Sequence, residues 1–224
     1  MGTGAYEMSK SDLLDELVQG QVAFASRNVN ALIKLGILVI KNLLKRNLRV
    51  VVLDEKGLLS RFAPVEFFDK VAFVKSLDEI SAQSEALVVV APGNLKRDYK
   101  CNSKVTVLLL KSPARSLRGF KQYYLQRIPG TSDYILKPIG EVGAFRVRLT
   151  ESGIEEVPGP EGVLGRAYTI IKESLFTYGE ITVKDAVRII SKELGLDKAE
   201  ARKVLLNLAR KRYIAVVSGR ITLP

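Results

Sequence analysis

Lysine and arginine are concentrated in two stretches of the 224-residue sequence, and their side chains are the ones that bind phosphate. Residues 95–131 hold nine basic residues and one acidic residue, and residues 196–224 hold seven basic and two acidic residues. The charges of these stretches, +8 and +5, together exceed the +11 of the whole chain. Concentrated charge indicates contact with a polyanion such as DNA, and chance grouping on a solvated surface is the alternative.

Other kinds of chemistry are excluded by residue types that the sequence lacks. It has no histidine, which excludes Ser–His and Cys–His mechanisms and histidine metal sites. Its one cysteine, Cys101, excludes a disulfide framework and a multi-cysteine metal site. We therefore expect no cofactor. The acidic pair Asp54–Glu55 follows an apolar segment and leaves open a metal- or nucleotide-dependent enzyme.

The hydrophobic content of 47% predicts a folded protein with a substantial core. No uncharged apolar run approaches the roughly 18 residues that a membrane span needs. The N-terminal segment lacks the apolar core and cleavage site of a signal peptide. We expect a cytoplasmic protein with no membrane partner.

Short apolar segments alternate with helical patterns in the first two thirds of the chain. Continuous rather than alternating apolar strands are typical of a parallel sheet that is covered on both faces. The sequence therefore predicts an α/β domain, a mostly parallel sheet with helices on both faces. Helices are expected over 28–46 and 77–84, an antiparallel edge hairpin from residue 144, and strands over 21–25, 48–54, 71–74, 86–90 and 104–110.

A break between two domains is predicted near residue 157. Positions 158–162 hold two prolines and two glycines, which neither a helix nor a central strand tolerates. We therefore expect an α/β domain over 1–157 and a second domain over 158–224.

Three helical patterns and a hairpin fill the second domain. Thr182 with Asp185, and Asp197 with Glu200, have the spacing of capping boxes, and Gly195 is placed to end the helix between them. The dipeptide Ser218–Gly219 lies between two short strand patterns, as in a tight hairpin. This succession resembles a winged helix-turn-helix domain, across the whole of residues 158–224.

The resemblance implies that the third helix enters the major groove of DNA and that the hairpin wing contacts the backbone or minor groove. Basic side chains would neutralise phosphates, while Arg202 or Asn207 could contact base edges. A protein–protein module is the alternative. The candidate DNA-binding residues of this domain are Lys198, Arg202, Lys203, Asn207, Arg210, Lys211 and Arg220.

The first domain resembles the RecA/KaiC-like ATPase core in the order of its segments, among them LRVVVLDEKG, ALVVV and KVTVLLL. In that family a glycine-rich loop wraps phosphates, a lysine reaches them and a Ser/Thr holds magnesium. Here no glycine lies between Gln21 and Leu35, and Leu32 and Ile33 occupy the Lys and Ser/Thr positions. Strand ALVVV ends in Ala91-Pro92-Gly93, where the family has a metal-binding acid. We therefore expect no ATPase activity.

The same resemblance places a DNA-contacting loop after KVTVLLL, where Lys111–Arg127 interleaves cations with aromatic residues. Cations that follow phosphates and rings that stack on bases suit single-stranded DNA. The alternative is an amphipathic helix whose aromatic residues face the core. The candidate DNA-binding residues here are Arg115, Arg118, Lys121 and Tyr123.

The sequence therefore predicts a non-catalytic protein that binds single-stranded or duplex DNA. Its role would be that of an accessory factor in recombination or repair, alongside an active RecA-family ATPase, with a homo-oligomer as a further expectation. A winged-helix transcription regulator, in which the α/β domain senses a ligand or dimerises, is the second hypothesis. An enzyme that uses Asp54 and Glu55 is the third.

Overall fold

The computed structural model describes residues 13–80, 84–90, 103–141 and 144–223. The chain divides into two compact units, Met1–Val157 and Pro158–Pro224. Among the described residues, no helix is both long enough and apolar enough to cross a membrane.

A nine-stranded sheet forms the centre of the first unit. Its spatial order is β3-β2-β4-β5-β1-β6-β7-β8-β9. The pairings from β3 to β6 are parallel, and those from β6 to β9 are antiparallel. The predicted mostly parallel α/β sheet is therefore confirmed. Its strands are β1 Gln21–Ala25, β2 Val50–Leu53, β3 Val71–Val74, β4 Ala86–Val90, β5 Val105–Leu110, β6 Lys121–Arg127, β7 Asp133–Pro138, β8 Phe145–Leu149 and β9 Ile154–Glu156.

One face of this sheet is covered by helices α1 (Leu13–Leu17) and α2 (Val29–Lys45). The side chain of Asn28 caps α2 by accepting the Ala31 N–H. A Cβ atom at Gly36 would lie 2.7 Å from a Leu109 methyl carbon, so this glycine permits the helix to pack closely on β5.

On the opposite face, where the sequence also predicts helices, the described residues form no α-helix. The side chains described there come from the sheet, from a single 3₁₀ turn at Leu77–Glu79, and from the connection between β5 and β6. The helix predicted over 77–84 is therefore wrong for its described part, because the Ser76–Glu79 capping box closes only one turn and Ile80 is already extended. Residues 81–83 and 91–102 lie outside the described residues.

The segment Lys111–Arg127 is neither one long loop nor a helix. Residues 111–120 form a connection without regular secondary structure, and the remainder is strand β6, which pairs in parallel with β1. Residues 121–127 form a strand despite the helical pattern, because β6 pairs with β1 on one side and with β7 on the other. The sequence suggests either a continuous loop or an amphipathic helix for this segment, and the structure corrects both predictions.

A buried ion cluster joins β7 to β8. The Asp133 carboxylate accepts hydrogen bonds from Arg146 Nε and Nη2 at 3.0 and 2.7 Å, and from Arg148 Nε at 2.9 Å. Asp133 is 3% exposed, so its charge is balanced by these two guanidinium groups rather than by water. Its partners sit on the neighbouring strand, because Asp133 is paired in register with Arg148.

The second unit contains three helices and a three-stranded sheet of order β10-β12-β11. Both predicted capping boxes are present, with Thr182 Oγ1 accepting the Asp185 N–H and Asp197 Oδ1 accepting the Glu200 N–H. The elements are α3 Gly162–Tyr178, β10 Ile181–Thr182, α4 Val183–Leu194, α5 Lys198–Arg210, β11 Ala215–Val217 and β12 Arg220–Thr222.

The turns of this unit are also those predicted from the sequence. Gly195 ends α4 in the left-handed conformation, with a φ of 66°. Ser218 and Gly219 have φ angles of 50° and 76°, and a tight hairpin turn between β11 and β12 requires such positive values at both central residues.

Candidate nucleic-acid interface

Residues 111–120, which we call the strap, cross one face of the first unit. Leu110, just before the strap, pairs with Ala25, and Lys121, just after it, pairs with Val22. The strap therefore runs from the carboxyl edge of the parallel strands back toward the amino edge. It covers about 10 Å along β1, at about 3.3 Å per residue.

Two buried apolar residues and one glutamine hold the strap against the sheet. Ala114 and Leu117 are buried against the sheet. The Gln122 side chain on β6 accepts the Ala114 N–H at 3.2 Å and donates to the Ala114 carbonyl oxygen at 3.0 Å. A backbone segment fixed in this way presents its other side chains in a defined direction, away from the sheet.

The exposed side chains of the strap include three cations. Lys111, Arg115 and Arg118 on the strap, and Lys121 directly after it, are all exposed. None of them forms an ion pair with a carboxylate in the part of the chain that the structure describes. The structure thus places two of the candidate cations, Arg115 and Arg118, on the strap itself. Lys121 follows as the first residue of β6, where it pairs with Val22. Lys96, Arg97 and Lys100 of the same basic window lie outside the described residues.

Tyr123 occupies a different environment from these cations. Its ring stacks on Phe24, with centroids 5.5 Å apart, and packs against the core beneath α2. Burial, and to a lesser extent the charge of Glu141, raises the pKa of the Tyr123 hydroxyl. Tyr123 therefore packs against the core, as in the alternative interpretation in which the aromatic residues of this segment face the core.

A second group of exposed polar side chains lies on α5. Ala201, Leu205 and Leu208 are buried against α3 and α4, which turns the opposite face of the helix to solvent. Leu206, 49% exposed, lies within that face. The candidate residues exposed on α5 are Lys198, Arg202, Lys203, Asn207 and Arg210, and Lys211 follows as an exposed C-cap.

Arg220, the candidate DNA-binding residue of the hairpin, has an acidic partner within the chain. Its guanidinium forms an ion pair with Glu180, and both side chains are largely exposed. An exposed pair of this kind contributes little stability, so a phosphate could displace the carboxylate. The neighbouring hairpin residues Val216 and Val217 are apolar and exposed.

The turn between β1 and α2 stands where the resemblance implies a phosphate loop, and its own side chains occupy its backbone donors. Only Ser26, Arg27 and Asn28 separate β1 from α2. Ser26 Oγ accepts the Asn28 N–H, and Asn28 Oδ1 accepts the Ala31 N–H, so side chains take helix N-terminal donors that could otherwise hold an anion.

The space beside this loop is apolar and nearly closed. A cavity of only about 10 Å³ remains there, lined by Lys111 and by six aliphatic residues. Two of the six, Leu32 and Ile33, stand where the resemblance implies the Lys and Ser/Thr of a phosphate loop. Aliphatic side chains neither neutralise phosphate nor bind magnesium. Apart from Lys111, the described residues that line this cavity therefore offer no group to a nucleotide.

Asp54 has a structural role at the end of β2. Its carboxylate accepts three backbone N–H groups, from Leu58, Leu59 and Ser60, at 2.8 to 2.9 Å. Because both oxygens are used and the residue is buried, the carboxylate is not available to bind a metal. No group of three or more acidic, cysteine or histidine side chains with metal-binding geometry occurs among the described residues.

We expect magnesium-ATP to produce no saturable heat in calorimetry with the full chain at about 100 μM protein. The reason is that the turn from β1 to α2 has no glycine and that the small cavity beside it is lined largely by aliphatic side chains. A micromolar dissociation constant, about −8 kcal/mol, would contradict this expectation.

Sequence reasoning missed two residues that organise these sites. Gln122 looks like an ordinary strand glutamine, and no signal in its surroundings marks it as the residue that holds the strap. Asn28 was placed at the start of the helix, but its capping of Ala31 could have been inferred from the preference of asparagine for the N-cap position.

No protein-family model matches this chain, and no curated protein matches it. Among solved structures, the chain is similar to a KaiC-like protein from the hyperthermophilic archaeon Pyrococcus horikoshii OT3. The identity is 13% and the TM-score 0.41, and the match covers 64% of this chain and 94% of that one.

Proposed function

We propose that this protein is a non-catalytic DNA-binding protein with two separate cationic surfaces. The observation that carries the proposal is the strap, whose exposed cations have no carboxylate partner among the described residues and whose backbone is fixed by Gln122. Fixed cations close together neutralise successive phosphates with little loss of conformational freedom.

The second surface is the exposed face of α5. The succession of elements α3, β10, α4, α5, β11 and β12 is the one expected of a winged helix-turn-helix, in which α5 would enter the major groove. Arg202, Lys203 and Arg210 on this helix make no ion pair with any carboxylate in the described part of the chain.

The role that best fits these features is an accessory factor in recombination or repair. The expectation that this chain does not use ATP is supported by Leu32 and Ile33, which line the small cavity beside the turn from β1 to α2. Such a factor would act beside an active ATPase of that family, which would supply the nucleotide-driven step.

Regulation of transcription is the second candidate, and one observation favours it. Asn207 and Arg202 are both exposed on α5, and these two residue types can form paired hydrogen bonds with adenine and guanine respectively. Selection of a preferred duplex from a random pool would support this function, whereas equal affinity for duplexes of any sequence favours the first.

Changing Arg115 and Arg118 together to alanine tests the strap. We expect the affinity of the full chain for single-stranded DNA to fall about 30-fold at low salt, from about 1 kcal/mol for each lost contact. The slope of log K against log salt should become shallower by about 1.4, or roughly 0.7 for each contact.

The matched control changes Arg61 and Lys70 to alanine, which removes the same charge from exposed positions between β2 and β3. This variant should keep nearly the wild-type affinity and slope. Equal losses from both double variants would show that the strap has no particular part in binding.

A further inference from the structure

The strap ends at a cavity that the DNA-binding proposal has not used. It has a volume of about 220 Å³ and lies where β6 begins and β7 ends. Its lining includes Phe120, Lys121, Tyr123, Pro138, Ile139 and Glu141. Phe120 is the last residue of the strap, and Lys121 is the next cation after Arg118, so a strand that follows the strap arrives at this opening.

The size of the cavity limits what can enter. Sites for drug-sized ligands have volumes of roughly 300–1,000 Å³, and this one is smaller. It is therefore suited to a single ring system rather than to a whole nucleoside triphosphate.

The residues that line the cavity offer apolar surface on which an unstacked base can pack. Pro138 and Ile139 offer apolar surface, and Ile139 is 45% exposed, so a flat ring could cover it. Bases that leave the stack of a single strand are commonly held by such surfaces together with hydrogen bonds to their edges.

The negative charge of Glu141 favours the base of a nucleotide over its phosphate in this cavity. It is the only acidic residue of the segment 103–141 apart from Asp133, whose charge is bound by Arg146 and Arg148. A carboxylate repels phosphate and accepts a hydrogen bond from an amino group. Cytosine, adenine and guanine carry an exocyclic amino group, whereas thymine does not.

We propose that this cavity binds one unstacked, amino-bearing base of the single-stranded DNA whose phosphates lie along the strap. The inference rests on the proposed function, because the strap must first bring the strand to the cavity. Lys121 contacts the adjoining phosphate, Ile139 and Pro138 cover the ring, and Glu141 accepts the amino group.

The test compares oligo-dC, oligo-dT and an abasic strand, each about 15 nucleotides long. We expect the wild-type chain to bind oligo-dC about tenfold more tightly than oligo-dT, which corresponds to one hydrogen bond to a charged group. Changing Glu141 to alanine removes the acceptor and should bring this ratio close to one, even though the loss of negative charge raises both affinities. The ratio is therefore the informative quantity.

Ile139→Ala provides an independent measurement. It should weaken the binding of oligo-dC severalfold, with no effect on the abasic strand or on the salt slope, because the contact is not ionic. The residue is exposed, so the melting temperature should stay unchanged. Free deoxycytidine should not compete with oligo-dC, since it lacks the phosphates that the strap binds.

Two results would overturn the inference. One is equal affinity of the wild-type chain for oligo-dC and the abasic strand, and the other is a dC-to-dT ratio that Glu141→Ala leaves unchanged. If Arg115→Ala with Arg118→Ala still weakens all three strands, the inference alone fails. If that double variant weakens none of them, the strap fails as a DNA-binding surface as well.

Discussion

Replacing Arg202, Lys203 and Arg210 together with alanine is expected to lower the affinity for duplex DNA on the order of 100-fold at low salt. The estimate takes about 1 kcal/mol for each of three contacts to phosphate. The salt slope should become shallower by roughly three, since about one counterion is released for each contact. All three side chains point away from the buried Leu205 and Leu208, so the fold should persist. Fluorescence anisotropy across a salt series measures both quantities.

A matched triple variant separates the position of the charges from their number. Lys184, Arg188 and Lys192 are exposed on α4 in the same unit. Changing them to alanine removes the same charge from a helix that is not expected to enter the groove, and should cause a much smaller loss. Unchanged binding in the α5 variant would indicate that this unit contacts protein rather than DNA.

Asp133→Asn is expected to destabilise the first unit by about 3 kcal/mol, the low end of the range for breaking a buried ion pair. The substitution keeps the shape of the side chain but leaves Arg146, which is largely buried, and Arg148 without their counter-charge. Denaturant unfolding measures the loss. Lys104→Ala, which breaks the exposed pair with Glu85, is the control and should change stability far less.

The loss caused by Asp133→Asn should also depend on pH. Burial raises the pKa of Asp133, but hydrogen bonds and charges from Arg148 and Arg146 outweigh burial and hold the pKa below its usual value. A lowered pKa means that the folded state keeps the carboxylate ionised. Its contribution is therefore complete above the unfolded pKa of about 3.9 and disappears as the pH falls through the folded value. A difference between wild type and variant that does not shrink on acidification would contradict this account of the cluster.

The elements of the second unit could be predicted from the sequence because their signals are local. Thr182–Asp185, Asp197–Glu200, Gly195 and Ser218–Gly219 each act within a few residues, and each is found in the role that the sequence suggests. Local capping and turn chemistry therefore fixes the ends of these elements before any tertiary packing is considered.

The region around the strap could not be predicted because its structure depends on distant partners. Phe120, Tyr124 and Arg127 have the spacing of one helix face, yet Lys121–Arg127 becomes a strand because β1 and β7 offer edges on both sides. The position of the strap depends on the hydrogen bonds between the Gln122 side chain and the Ala114 backbone. The pattern of residue types along the sequence does not indicate this contact. Pairing between strands overrides local propensity in such cases.

The close packing beside the turn from β1 to α2 could be predicted only in part from the sequence. The absence of glycine between Gln21 and Leu35 predicts that no loop wraps a phosphate there, and the structure adds that Leu32 and Ile33 line the small remaining space with Leu58 and Leu109. Leu58 lies in the turn that Asp54 stabilises, far from Leu32 in sequence, so this contact required the structure.

The central claim is that this chain binds DNA through phosphate contacts on two surfaces. A salt-titrated binding series with single-stranded and duplex DNA of one length tests it most directly, with the wild type, the Arg115/Arg118 variant and the Arg202/Lys203/Arg210 variant side by side. The account predicts steep salt dependence for the wild type, with the strap variant losing mainly single-strand affinity and the α5 variant mainly duplex affinity. Weak binding to both DNA forms at low salt, with slopes near zero and no difference among the three proteins, would contradict it.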